Sequence, residues 1–509
     1  MNAVLRNMWT KEAMVSLAAL VLAILMGVAA ASGKLLVVAL VGGALGTLAL
    51  IAKPSLIFWT ATFVTLVVAG LVKYFVPTLD RIWWLAYGMA FLLYLPAMLH
   101  VLNRKSVSGK GPALMGIFVA IFLTDLLVAT IAAASPADQI AVASKTLLMF
   151  TGVWVYFAFG PLPSDTVWKW LKAMLFIGLI QWMFALYQYF FVRAWRQSVG
   201  KGSVSAADSV VGTFGGSMDS GGLTAVLAFF LVASIVALIA MRREEVIGRG
   251  RLILYGLLLF LPLMFMEVKI IFIYFPVALI VLFRAEILRR PHVFIGWSCV
   301  GACALVGMLI VYQTLHWSAQ DGDLRTNLTR VFSYSFEEQS GADAADLGVM
   351  TRRETLTFWW KRHNASNFHE ALIGHGLGAS RTRGLALGEV AQRYQPWQID
   401  RTGISQLLWD VGLIGTFAAL GALYVMYAQG GRLSKAPALL AWQRGLARGL
   451  QAIAPMYFLS MLYRNDIPYA APMMFLFMAS FGLIAWLSKQ DGAVRKQSSR
   501  RMHAAGSYA

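Results

Sequence analysis

Between Tyr312 and Gly415 the chain gathers the groups best suited to bind or rearrange charge. They are Arg352-Arg353, Trp359-Trp360, Glu370, Gly374-His375-Gly376-Leu377-Gly378, Arg381, Arg383 and Arg401, closing on Gln406-Leu-Leu-Trp-Asp410-Val-Gly412-Leu-Ile-Gly415. A guanidinium holds two phosphate or carboxylate oxygens at once, where an ammonium acts as a point charge. Glycines let backbone amides approach a ligand, so Gly374–Gly378 reads either as a tight turn beside a substrate or as a plain loop turn. Further cations flank or interrupt apolar runs. Arg193 and Arg196, spaced i, i+3, read as a phosphate-binding pair or as interfacial anchors. Lys269, in Phe265-Met-Glu267-Val-Lys269, is costly at membrane depth unless paired or functional, and snorkels if it sits at the interface.

The elements that position these residues are set by composition. Of 509 residues, 59% are hydrophobic and 13% charged, with a mean hydropathy of +0.68, against roughly 25% charged in a soluble domain. This is the composition of an all-α, polytopic membrane protein. Runs long enough to span hydrocarbon begin at about 12–32, 35–52, 55–72, 82–101, 112–133, 140–160, 166–191, 221–241, 252–267, 270–283, 293–314, 404–428, 449–463 and 469–488, which predicts about 12–14 crossings. The first run ends in small residues, Met26-Gly-Val-Ala-Ala-Ala-Ser32, but exceeds the usual signal-peptide core. It is therefore read as a membrane helix.

The net charge of +19 does not point to nucleic acid, because the basic residues collect in short loops, where they set topology and engage anionic lipid. With the N-terminus inside, Arg104-Lys105-Lys110, Arg242-Arg243-Arg249-Arg251, Arg284-Arg289-Arg290 and Arg432-Lys435-Arg444-Arg448 share one side with the tail. The organisation expected is a bundle over 1–314, an extracytoplasmic segment over 315–403, further membrane helices over 404–488 and a cytoplasmic tail over 489–509. Within the outer segment, Thr351 to Arg362 has the spacing of an amphipathic helix lying against the membrane face.

An extracytoplasmic site has no ready nucleotide, and the glycine turn lacks the strand and helix context of a nucleotide loop. Asp321-Gly-Asp323 reads as a solvated turn, for want of further carboxylates to complete an oxygen shell. Cys299 and Cys303 read as packing residues on one helix face. No cofactor and no metal are expected.

Several of these motifs resemble one family. Val211-Gly-Thr-Phe-Gly-Gly216 before a membrane helix resembles a stretch of the O-antigen ligase and polysaccharide polymerase superfamily. Lys269 stands where that family has a Ser-Arg turn. Arg352 or Arg353, the tryptophans and Gly374–Gly378 resemble its long-loop pattern, and Gln406–Gly415 resembles its closing helix. The resemblance covers about 190–416.

It implies a glycosyltransferase-C-like helical fold and metal-independent, inverting transfer of a polyprenyl-diphosphate-linked glycan on the outer leaflet of a bacterial inner membrane. Arg193, Arg196, Lys269, Arg352, Arg353 and Arg381 would bind the diphosphate. His375, Glu370 and Arg401 would serve the reaction, with Asp400 a further possible base. Arg401-Thr402 occupies the place of the ligases' His-Asn pair, and arginine cannot act as a base near neutral pH. This favours a polymerase over an O-antigen ligase. A flippase for lipid-linked oligosaccharides is the alternative from another class, while a separate flippase and a chain-length regulator are the partners implied for a polymerase.

The charge alternation makes a direct prediction. Reporter fusions at Gly341 and Gln490 should report opposite sides of the membrane; a common side would remove the outer-leaflet reading altogether.

Overall fold

In lipid, a helix satisfies every backbone group within its own segment. In the computed structural model every regular element among the described residues is indeed helical. Those residues are 54–103, 110–198, 209–216, 223–266, 268, 270–292, 295–296, 350–363, 367–382 and 386–506. The chain divides into two units, Met1–Thr60 and Ala61–Ala509. The first is described only over 54–60, a helical stretch, and the second holds all that follows.

In chain order the helices are α1 (Ser55–Phe75), α2 (Trp83–Leu102), α3 (Leu114–Ala132), α4 (Ala137–Leu147), α5 (Thr151–Phe159), α6 (Ser164–Arg196), α7 (Thr224–Arg243), α8 (Arg249–Phe265) and α9 (Ile271–Arg289). The polar segment contributes α10 (Arg352–Arg362), α11 (Phe368–Ile373) and α12 (Glu389–Arg393). Then come α13 (Gly403–Leu433), α14 (Ala441–Tyr463), α15 (Asp466–Tyr469) and α16 (Ala471–Arg495). Among the described residues eight helices are long and apolar enough to cross a membrane, or nine if the bent pair α4 and α5 is one span. The runs expected at 12–32, 35–52 and 293–314 lie outside the described residues, apart from 295–296. The other expected runs coincide with helices, and helical backbone continues past the expected end at 488 as far as Gly506.

The apolar window of α16 is 100% buried and that of α7 78%, whereas those of α3 and α9 are each 22% buried. A helix that is apolar all round belongs inside a bundle, so α16 and α7 form its centre and α3 and α9 its lipid-facing rim. Among the described residues, the basic ends of α7 and α9 and the start of α14, expected on one side, meet at one end. Glu244, after α7, pairs with Arg444 at 2.9 Å and Arg448 at 2.8 Å, and Arg243 pairs with Glu286. At the other end Arg352 of α10 donates to the Tyr463 carbonyl at 2.7 Å. There too, Thr130 and Gln139, beside the lean loop after α3, bond to the backbone of Leu377 at 3.0 and 2.9 Å.

One non-helical stretch is buried in the bundle: Val210–Gly215 is enclosed ahead of α7. Its polar backbone therefore needs partners from side chains. Gln188, where α6 widens into a π-turn over Gln188–Val192, accepts from the amides of Val211 (2.9 Å) and Gly212 (2.7 Å) and donates to the Gly212 carbonyl (3.0 Å). Gln181 accepts from the Thr213 amide at 2.9 Å and donates to its hydroxyl at 2.9 Å. The Thr213 hydroxyl in turn donates at 2.7 Å to the carbonyl of Leu66, within the π-turn of α1. A widened turn loosens its carbonyl ladder, and here it receives the loop.

Gln188→Leu orphans two amides and a carbonyl, each costing about 1–3 kcal/mol. It should lower stability by about 3 kcal/mol or more in a denaturation titration of the purified protein in detergent.

Candidate functional site

Helix α13 is broken at Gly412, whose φ of 57° and ψ of −159° lie outside the helical region. The turn before the break bonds sideways to the outer segment. The Leu408 carbonyl accepts from Trp359 Nε1 (3.0 Å), the Trp409 carbonyl from the His375 amide (2.8 Å) and the Asp410 carbonyl from the Gly376 amide (2.9 Å). The Asp410 carboxylate accepts from the amides of Ser380 (2.9 Å) and Gly378 (3.3 Å).

Close approach makes this possible. Gly374, at φ 79° and ψ −166°, faces Gly412, and a Cβ on Gly374 would stand 2.5 Å from the Gly412 nitrogen. Both conformations lie in a region reserved for glycine. The Leu377 amide goes to Thr130 and the Gly374 amide to the Glu370 carbonyl. The amides of Gly374–Gly378 are thus all bound within the protein, which decides for a structural turn over one that offers amides to a substrate.

Beneath this turn lies a narrow crevice. Its polar end is lined by Arg381, Gln406, Asp410 and Gly378. Through Phe122, Leu147, Leu407 and Pro468 it adjoins an apolar crevice walled by Phe118, Phe477, Phe481, Met461, Met474 and Met478. The Arg381 guanidinium stands over the Tyr469 ring at 4.8 Å. Gln406 is buried, and its side-chain oxygen has no hydrogen-bond partner.

Asp400 lies near this end, bonded to Thr382 and Tyr469. Its carboxylate accepts from the Thr382 amide (3.1 Å), the Thr382 hydroxyl and the Tyr469 hydroxyl. Burial, and then the Asp400 charge, push the Tyr469 hydroxyl well above its usual range, so it remains a donor. Four accepted or donated bonds hold Asp400 in place, counting Asn465 Nδ2 to its carbonyl at 2.5 Å.

Of the other residues expected to serve a site, His375 and Glu370 meet, with Nε2 3.9 Å from Oε2. Burial chiefly pushes the His375 imidazole down to about 4, against the opposing pull of Glu370, so it is neutral near pH 7 and accepts protons poorly. Arg401 is half-buried, just before Thr402, whose hydroxyl caps α13 by accepting from the Ser405 amide at 3.0 Å. Arg352 lies over the Tyr463 ring at 4.0 Å, and Arg353, its neighbour on α10, is exposed. A helix is present where one was expected, capped by Thr351 and Glu354, and it buries Thr355 and Trp359.

Arg193 stacks over Tyr189 at 4.9 Å, while Arg196 is 1% exposed. The pair therefore does not present two open forks side by side. Lys269, with Asp321, Asp323, Arg383, Cys299 and Cys303, lies outside the described residues.

Two groups escape a reading by motif. Asp125 is buried midway along α3, where a Cβ on Gly415 would come within 2.6 Å of its Oδ2. Its signal was a lone acid in the apolar run 112–133. His363, beside His375, had only the local density of histidine to mark it.

Helix composition and the outer cap define a polytopic α-helical membrane protein with a folded polar segment closing one end of its bundle. No protein-family model matches the chain, and no curated protein matches it.

Gly412→Ala and Gly374→Ala each force a Cβ into backbone in a glycine-only conformation, at about 3 kcal/mol or more. Hydrogen exchange of residues 350–382 should accelerate by about a hundredfold in either variant, while Gly256→Ala, with open space around its Cβ, should leave it unchanged.

Proposed function

We propose that the chain is a membrane glycosyltransferase of the polysaccharide polymerase type, joining polyprenyl-diphosphate-linked repeat units on the outer leaflet of a bacterial inner membrane. The observation that carries this reading is the paired crevice. The Arg381 guanidinium lines one end, beside Gln406 and Asp410, and an apolar crevice of Phe and Met side chains adjoins it. An isoprenoid diphosphate has that division, a charged head on a long apolar tail. Methionine walls adapt to a flexible chain.

The chemistry follows from the leaving group. An acceptor hydroxyl attacks the anomeric carbon from the face opposite the diphosphate, the bond to phosphate oxygen breaks, and configuration inverts. Charge develops on the departing diphosphate, and a fixed guanidinium aimed at it lowers the barrier without a metal at that position. Arg381 takes this role, with Arg401, Arg352 and Lys269 as further cations from the same resemblance. Asp400 is fully engaged and His375 is a weak base, so the hydroxyl proton is best passed to water or to the departing phosphate.

The polymerase reading is preferred to a ligase because Arg401-Thr402 stands at the ligases' His-Asn position, with Thr402 occupied as a helix cap.

The test uses undecaprenyl diphosphate as probe, titrated into the full chain in nanodiscs. Charge-assisted hydrogen bonds contribute about 1.5–3 kcal/mol, so Arg381→Gln should weaken binding about 10- to 100-fold, and Arg381→Lys by less. Unchanged affinity in Arg381→Gln would remove the crevice from the reading. Lipid translocation without chain lengthening by the wild type would replace it with transport.

A further inference from the structure

Three of the chain's seven histidines fall within thirteen residues, at 363, 369 and 375, with Glu370 among them. Folding turns two of these histidines and the glutamate toward one another. His363 Nε2 or Nδ1, a Glu370 oxygen and a His375 nitrogen each offer a ligand atom, all within 4.8 Å of one another. His375 Nε2 lies 3.9 Å from Glu370 Oε2 and is buried without a hydrogen-bond partner.

The tautomer of His363 is set by its surroundings. Its Nδ1 lies 2.8 Å from the Trp359 carbonyl, and a carbonyl only accepts, so Nδ1 carries the proton and Nε2 keeps its lone pair. A backbone carbonyl holding the far nitrogen of an imidazole is the usual outer support of a metal-bound histidine. Two imidazoles and one carboxylate make a borderline donor set that suits zinc(II), with a position left for water. Zinc bonds of about 2.0–2.2 Å place tetrahedral donors about 3.3 Å apart. The three donors need to close by about 1 Å, which the half-buried His363 and Glu370 side chains can do by rotation.

We propose that His363, Glu370 and His375 form a zinc(II) site. Its position gives it a structural task. His363 follows the end of α10, Glu370 lies on α11, and His375 belongs to the glycine turn that bonds to Trp409, so one ion ties three pieces of the outer segment together at the break in α13. The site is distinct from the Arg381 crevice and does not depend on the glycosyltransferase reading. Zinc binding here leaves the diphosphate chemistry without a metal of its own.

The experiment takes the full chain, purified through a tag that contains no histidine, stripped with a chelator and dialysed. Zinc is titrated calorimetrically, and cobalt(II) is titrated while visible absorption is followed. One equivalent per chain is expected, at micromolar affinity or tighter, with the visible bands of a four- or five-coordinate cobalt ion and a rise in Tm on loading. His363→Gln and Glu370→Gln, both at half-buried positions, should each weaken zinc at least tenfold, while exposed His292→Gln should bind as wild type. Each variant is checked for retained binding of undecaprenyl diphosphate, which separates loss of the metal site from loss of the fold or of the crevice. Substoichiometric zinc on the wild type, or affinity unchanged in a His363→Gln/His375→Gln double variant, overturns the proposal.

Discussion

Much of the outer half of the molecule depends on the break at Gly412. A membrane helix that keeps its ladder intact has nothing to offer a polar segment. One that breaks turns a set of carbonyls outward, and in a site shielded from water those carbonyls must be met. Here the donors are Trp359, His375 and Gly376, with Gly378 and Ser380 meeting the Asp410 side chain. The exchange holds the polar segment to the bundle by backbone amides together with the Trp359 and Asp410 side chains. It also explains why Gly374 and Gly412 must both be glycine, since each occupies the space a Cβ of the other would need.

The polar segment shares a core with the turn of α13 before Gly412, which makes it a folded cap. Trp359, Ala371, Ala379, Val390, Ala391, Ile399 and Trp409 are buried together, with Phe358, Tyr394 and Trp397 packed around them. Aromatic side chains supply large apolar area at small entropic cost, which suits a cap of modest size. Arg362 stands over Phe358 and Tyr394 at 4.9 and 5.2 Å, closing the cluster with a cation on its rim. Trp360, 73% exposed, and Phe368, 58% exposed, point away from this core.

Much of the fold was legible because apolar length reports directly on membrane spans. The expectation that the loop after α3 and the segment around 350–403 share one end agrees with the bonds from Thr130 and Gln139 to Leu377. The helix from Arg352 was legible from the spacing of its apolar and aromatic residues. What spacing could not convey was where amides go. Gly374–Gly378 read equally well as a ligand cradle or a turn, and only the carbonyls freed at Gly412, thirty-four residues later, decide between them. The same holds for Arg193 and Arg196, which share a helix face on paper. Packing leaves Arg193 over the Tyr189 ring and Arg196 enclosed, which spacing alone does not convey. Asp125 was visible as a lone acid yet gave no hint of its neighbour, because contact between α3 and Gly415 is a property of packing.

Helix α6 also carries its own depth gauge. Lys172, over Trp168 at 5.2 Å, and Arg193, over Tyr189 at 4.9 Å, each join a cation to an aromatic ring, the combination that settles at a lipid–water boundary. The stretch between them, 173–192, is about 30 Å of helix at ~1.5 Å per residue, the thickness of a bilayer's hydrocarbon core. The two pairs therefore stand one hydrocarbon core apart along α6, with Gln188 and the buried loop it holds about 8 Å inside the Arg193 pair. A thinner bilayer would strand one of the two belts, so the protein is matched to membranes of ordinary thickness through a single helix.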